Sequence, residues 1–194
     1  VINILLALRE RDRSGVGCKL DIAMADNLFA FMYWAIGNGI AAGQWPTPGG
    51  DLVTGGSPRY NVYRTADGRY LAAAPLEQKF WDTFCGLIGL AAELRDDRGR
   101  EAVVRAEVAR LIGAKSAAHW QQTFAGQDVC CSIVPSVEEA LRDPHFAARG
   151  VFARSLSDGG RTMPALPVPI DARFRGEAID AGYPALGEYG PGAQ

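Results

Sequence analysis

Apolar side chains recur at helical spacing at the start of this chain. Between residues 2 and 12, Ile4, Leu5 and Leu8 share one side and Arg9, Arg11 and Asp12 lie beyond them, which predicts an amphipathic helix stopped by Ser14-Gly15-Val16-Gly17. Residues 18–24 alternate and predict a short strand. Asp26 then stands at the N-cap position of a helix over 27–36. That helix, NLFAFMYWAI, is apolar nearly all round and requires burial between layers or against a partner. Gly37, Gly39, Gly43, Pro46, Pro48, Gly49 and Gly50 follow, the composition of a linker reaching about Pro58.

A different pattern begins at Tyr60. YNVYRTADGRYLAAA predicts a hairpin over 61–74 that turns at Asp67-Gly68, where glycine supplies the positive φ of a tight turn. Phe80, Phe84 and Leu87 mark the buried stripe of a helix over 77–88. Val104, Val108 and Leu111 mark that of a second over 101–112, with Glu101 four residues before Arg105 as a surface pair. Ser116 is placed to cap a short helix carrying Trp120 and Phe124. A strand over 129–134 leads into Ser136-Val137-Glu138-Glu139, a capping box in which serine and glutamate satisfy free backbone donors reciprocally. Residues 151–156 and 161–166, joined through Asp158-Gly159-Gly160, predict a second hairpin, and the Pro/Gly-rich tail over 167–194 predicts an extended run over another surface.

Composition narrows the field. The 194 residues, 48% hydrophobic, suffice for a real core in one domain or in a domain plus part of another. A net charge of −2 without Lys/Arg runs lacks the electrostatic footprint of nucleic-acid binding. The longest apolar stretch, 28–36, is far short of the roughly 20 residues a membrane span needs, and residues 1–8 lack the flanks of a signal peptide. Besides Cys18 and Cys85 there are the adjacent Cys130 and Cys131, which sit in an apolar strand-like run and have neither zinc spacing nor a CxxC pattern. They predict packing thiols, which suits a reducing compartment, and a cytoplasmic protein is expected. Because Val1 opens in the middle of a helical pattern with no start signal, a piece of a longer protein is expected.

Chemistry concentrates on one position. Glu77 follows a strand and Pro75 and is expected in the first turn of the next helix, where amides without intrahelical partners favour negative charge on the protein or on a bound anion. The residues leave two roles open, complement to the helix dipole or participant in a site. His119 and His145, the only histidines, have no adjacent ligand or nucleophile and read as structural or solvated. Asp21 reads as a strand-end carboxylate capping backbone donors. Thr54-Gly55-Gly56, too short for a phosphate loop, reads as a hinge, and Arg59, Arg64 and Arg69 read as solvated charge around the hairpin.

Three blocks in order, GCKLDIAMADNLFAF (17–31), LVTGGSPRYNVYRTADGRYLAAAPLEQKFW (52–81) and DVCCSIVPSVEEALRDPHFAARGVF (128–152), resemble the family III CoA-transferases, or CaiB/BaiF family. Within it they look most like the 2-methylacyl-CoA racemase branch, and the likeness runs over about 1–169. It implies an α/β fold lacking its N-terminal portion. Residues 1–45 would belong to a large Rossmann-like domain, 46–58 to a linker, 59–150 to a small α+β domain, and 151–194 to a hairpin and extended segment returning toward the large domain. Family members form interlocked homodimers, with active sites between the large domain of one subunit and the small domain of the other. The implied substrate is an acyl-CoA, with CoA present as part of the substrate, no covalently bound cofactor and no metal. One of Arg59, Arg64 and Arg69 would then offer a cation to a CoA phosphate.

In the resembled racemases, epimerisation beside a thioester passes through a planar enolate, so acid/base groups stand on both faces of the substrate. The glutamate of the motif matched by PLEQKF pairs there with the catalytic histidine, which implies Glu77 as the candidate catalytic residue of this chain. The histidine and aspartate belong to an N-terminal portion with no counterpart here. Transferases of the family instead use an aspartate that attacks the acyl-CoA, and some close a run of consecutive glycines over the site. This chain has only glycine pairs, beginning at Gly49, Gly55 and Gly159, a departure that favours the racemase branch. A carboxylic-acid CoA-transferase is the alternative enzyme, and a stand-alone binding module without catalysis is the alternative of another kind.

Overall fold

Helices come first along the computed structural model, which describes residues 1–175, 181–182 and 184. They are α1 (Ile2–Ser14), α2 (Met24–Phe29) and α3 (Tyr33–Ala42), the last two joined by a 3₁₀ turn at Ala30–Met32. A single π-helical turn at Leu52–Gly56 precedes β1 (Asn61–Arg64), β2 (Tyr70–Ala73) and α4 (Gln78–Ile88). Then follow α5 (Glu101–Gly113), α6 (Ala117–Phe124), β3 (Cys131–Ile133), α7 (Val137–Leu141) and α8 (Pro144–Ala148). Last come β4 (Ser155–Ser157), β5 (Thr162–Pro164) and β6 (Ala181–Gly182). The first sheet is antiparallel in the order β1-β2-β3. The second, β5-β4-β6, pairs β4 with β5 antiparallel and with β6 parallel.

The hairpin over 61–74 forms as its turn chemistry dictates. Gly68 has φ 78 and donates its amide to the Thr65 carbonyl, setting Tyr63 opposite Leu71. Alternation along β1 and β2 then sends Tyr63, Leu71 and Ala73 to one buried face. Trp81, Phe84, Cys85 and Ile88 of α4, Val104, Val108 and Ile112 of α5, and Trp120 and Phe124 of α6 complete the core. Four rings run through it: Trp81 to Phe84 at 5.8 Å, Phe84 to Phe124 at 5.9 Å and Phe124 to Trp120 at 5.6 Å between centroids. Their polar atoms are all satisfied, Trp81 Nε1 donating to the Arg95 carbonyl and Trp120 Nε1 to that of Ile112. Tyr63 gives its hydroxyl proton to the Pro58 carbonyl (2.7 Å), and burial raises its pKa.

The stripe of α4 is turned by about one residue from the expected Phe80, Phe84 and Leu87. Trp81, Phe84, Cys85 and Ile88 are buried at i, i+3, i+4, i+7, while Phe80 and Leu87 are half-buried and Phe80 packs under the Lys79 ammonium at 4.2 Å. In α5 Ile112 takes the place expected of Leu111. Residues 18–24 form no strand: with no neighbouring strand among the described residues to share a ladder, 16–23 stay irregular. Nor does Asp26 cap a helix. Ala23 is the N-cap and Asp26 lies inside the first turn of α2. The helical run expected over 27–36 continues as α3 through Gly37 and Gly39 to Ala42, because Trp45 folds back over Gly39 where a Cβ would meet its ring at 2.5 Å, and Gly43 with φ 67 ends it. Ser116 and the Ser136–Glu139 box cap α6 and α7 as their spacing predicts. The second hairpin forms as β4 and β5. Most of the tail over 167–194 lies outside the described residues.

Two expectations follow. Asp67, in the hairpin turn, accepts the Thr65 hydroxyl and the Ala117 amide at the start of α6, which together hold its carboxyl below the ordinary value of 3.8. A carboxylate depressed by folding stabilises above its unfolded pKa, and that contribution is lost as pH falls through the folded one. As pH falls below about 4 the native chain should therefore lose urea resistance more steeply than Asp67→Asn, and equal slopes would refute the tie. The second concerns α1 and α2, which bury no residue at all, and α3, which buries only Gly39. Phe31 is 82% exposed, Tyr33 73% and Leu5 60%. So large an apolar patch should make the chain self-associate in sedimentation velocity and bind a hydrophobic dye. A monodisperse monomer that binds no dye would contradict this.

Candidate active site

The path from sheet to helix places Glu77. After β2 the Ala74 amide donates to the Cys130 carbonyl (3.0 Å), Pro75 is fully buried, and the Leu76 amide turns back to the Ala74 carbonyl (2.8 Å). Glu77 is the N-cap of α4, one residue ahead of the first-turn position expected for it. Its φ and ψ are −72 and 143, and its carbonyl accepts from the amides of Phe80 and Trp81, each at 3.0 Å. Its side chain is exposed and makes no capping bond. Short Ser, Thr, Asp and Asn side chains normally fill this position because they reach back to the N2 or N3 amide. The glutamate, one methylene longer than aspartate, leaves its carboxylate at the positive end of the helix without engaging those amides.

Arg59 lies on the inner side of this junction and is not the solvated charge expected from sequence. Its side chain is 16% exposed and that of its partner Asp97 10%. Nε lies 3.1 and 3.0 Å from the two Asp97 oxygens and Nη2 donates to Oδ1 at 2.7 Å. Nη1 donates to Gln78 Oε1 at 3.0 Å and to the Leu76 carbonyl at 3.4 Å, and the guanidinium sits 5.0 Å from the Trp81 ring centre. Ser57, Arg59, Gln78, Asp97, Arg98 and Glu101 line an open cavity of about 850 Å³ beside the start of α4. On its rim Arg98 pairs with Asp96 and holds that carboxyl down to about 2.

The segment read as a hinge is fastened at two points. Arg105 Nη1 donates to the carbonyls of Gly55 and Gly56, both at 2.9 Å, and Asn61 Nδ2 to that of Gly55 at 3.0 Å. Arg105 therefore serves the loop rather than Glu101, whose carboxylate accepts the Gly99 amide. Arg69 pairs with Glu139 at 2.7 Å, and Arg64 is exposed. His119 stands edge-on to Trp120, His145 edge-on to Phe146, and Asp21 is exposed in the irregular segment. Of the paired cysteines only Cys131 behaves as a packing thiol, pushed up to about 12 by burial. Cys130 is exposed at φ 49, as is Cys18, while Cys85 is buried. Among the described residues no group of acidic, histidine and cysteine side chains is arranged to hold a metal, and no helix is long and apolar enough to cross a membrane.

Sequence patterns could not reveal Arg59 or Arg105 as structural centres, since Asp97 lies 38 residues from one and Gly55 lies 50 from the other. Their partners exist only in the fold.

Comparison with known proteins places the chain. It is 30% identical over 192 residues to alpha-methylacyl-CoA racemase of Mus musculus, covering 97% of this chain and 49% of the relative. It is also 28% identical over 195 residues to acetyl-CoA:oxalate CoA-transferase of Acetobacter aceti, covering 96% and 49%. The chain thus spans about half the length of the curated relatives it matches. A crystal structure of a CaiB/BaiF family protein from Brucella suis superposes with a TM-score of 0.63 at 22% identity, over 88% of this chain and 46% of that one, and shares its fold. The sequence profile of CoA-transferase family III matches residues 1–189, and the chain belongs to that family.

Proposed function

We propose that this chain supplies the small-domain side of an acyl-CoA active site, in an enzyme that removes and returns the α-proton of a 2-methylacyl-CoA. The observation that carries this reading is Glu77. It is an exposed carboxylate at the head of an 11-residue helix, outside the capping role its position would ordinarily give it. Abstraction of the α-proton needs a base whose charged form is stabilised once it has taken the proton. A carboxylate facing a histidine supplies that stabilisation, favouring imidazolium by charge and by hydrogen bonding. The histidine, the opposing acid and most of the CoA site would come from a large Rossmann-like domain to which 1–45 and 151–194 contribute, with 46–58 as the connection to the small domain at 59–150. The exposed apolar helices α1 to α3 fit an interlocked homodimer, and the free thiols fit a cytoplasmic protein. CoA would enter only as part of the substrate.

A second reading, CoA transfer between carboxylic acids, is favoured by the Acetobacter relative. There an aspartate would attack the thioester to form a mixed anhydride and release CoA thiolate, which attacks the aspartyl carbonyl to give an aspartyl thioester and expel the donor carboxylate. The acceptor carboxylate would then displace the thiolate through a second anhydride, which the thiolate opens at the acceptor carbonyl to free the aspartate. Deuterium uptake from heavy water into the α-carbon of a 2-methylacyl-CoA separates the two, since transfer leaves that carbon untouched.

This chain by itself should show no exchange above buffer, because Glu77 alone provides neither a two-face proton relay nor a nucleophile. Turnover by residues 1–194 would refute the division of labour. In the full-length enzyme, Glu77→Gln keeps size and helix position but removes the charge, and exchange should fall by about 10²-fold. Were the carboxylate only a complement to the helix dipole, the same change would cost no more than about 1 kcal/mol of stability and leave exchange intact.

A further inference from the structure

We propose that Arg59 is the positioning residue of Glu77, an inference that rests on the reading of Glu77 given above. The guanidinium addresses α4 through one nitrogen and two acceptors, the Leu76 carbonyl and Gln78 Oε1, which belong to the residues on either side of Glu77. Its face covers Trp81, one turn further along α4, fully buried and anchored by its own Nε1 bond to the Arg95 carbonyl. From Gln78 the network continues to Asp82, whose Oδ1 accepts from Nε2 at 2.8 Å. One side chain therefore grips residues 76, 78 and 81 and leaves the intervening carboxylate untouched.

The other edge of the fork fixes Arg59 itself. Nε and Nη2 meet Asp97 side-on, Asp97 is buried, and the Arg59 amide donates to Ser57 Oγ at 3.0 Å. Burying such a pair is a poor way to gain stability, because desolvation offsets most of the attraction. What the pair does provide is direction. A planar guanidinium locked against one carboxylate presents its remaining nitrogen at a set angle, which a lysine ammonium, a rotatable point charge, cannot do. Acid–base assistance is sensitive to such placement, since small displacements of a participating group cost far more in rate than in binding.

The test uses the full-length enzyme and the deuterium-uptake assay. Arg59→Lys keeps a cation beside Asp97 but loses the second edge of the fork. Its kcat should fall by about 10-fold with KM for the acyl-CoA unchanged, and the same substitution made on Glu77→Gln should lower kcat no further. An unaltered kcat in Arg59→Lys while Glu77→Gln is impaired overturns the inference alone. So does an undiminished second loss on Glu77→Gln, which marks a general structural role. If both single variants turn over normally, the reading of Glu77 fails and takes this one with it. Should Arg59→Lys not fold, Gln78→Ala decides. It removes one acceptor while sparing the ion pair, and is expected to lower kcat about three-fold at constant KM, again only when Glu77 is present. A wild-type kcat in Gln78→Ala overturns the proposal.

Discussion

Three strands, none longer than four residues, cannot hold a sheet together in water, and everything in this molecule that resembles a site depends on covering one face of such a sheet. The cover is the set of side chains from α4, α5 and α6 that closes over Tyr63, Leu71 and Ala73, with the four linked rings at its centre. Because α4 is held down by Trp81, Phe84, Cys85 and Ile88, its first residue has no freedom to drift. Glu77 inherits its location from the core. The ion pair of Arg59 and Asp97 then trims that location at the edge of the hydrophobic contact, where direction matters more than burial.

What could be read from the residues is what closes within a few positions of itself. The Asp67-Gly68 turn, the serine cap of α6 and the capping box of α7 are chemistry over two to four residues, and all three stand in the structure. The failures share the opposite character. Alternation over 18–24 has no partner strand among the described residues to realise it. Gly37 and Gly39 read as breakers until Trp45 is seen lying across the second of them. The small turn of the α4 stripe from Phe80 to Trp81 reflects a tryptophan whose indole finds the Arg95 carbonyl, which periodicity alone does not record. Glu77 was legible as a position, from a strand end and a proline, and as a possible participant only through the blocks shared with the CaiB/BaiF family. That it is an N-cap whose carboxylate makes no capping bond is a fact of the fold.

An exposed carboxylate on a rigid helix head, next to an open cavity and a fastened glycine loop, commits to no reaction by itself. The curated relatives that the chain matches include a racemase and a CoA-transferase at nearly equal identity.

The order of strands carries a consequence in time. The middle strand β2 has β1 as its immediate predecessor, but its other neighbour, β3, is about 60 residues further along, beyond three helices. On a ribosome adding about 5 to 20 residues per second, β2 would wait several seconds with one edge unpaired. Over that interval the backbone donors and acceptors of Tyr70, Ala72 and Ala74 are open to any passing strand. Alanines at 72, 73 and 74, without the β-branched or aromatic side chains that favour strand pairing, keep that waiting edge less adhesive until its proper neighbour is made.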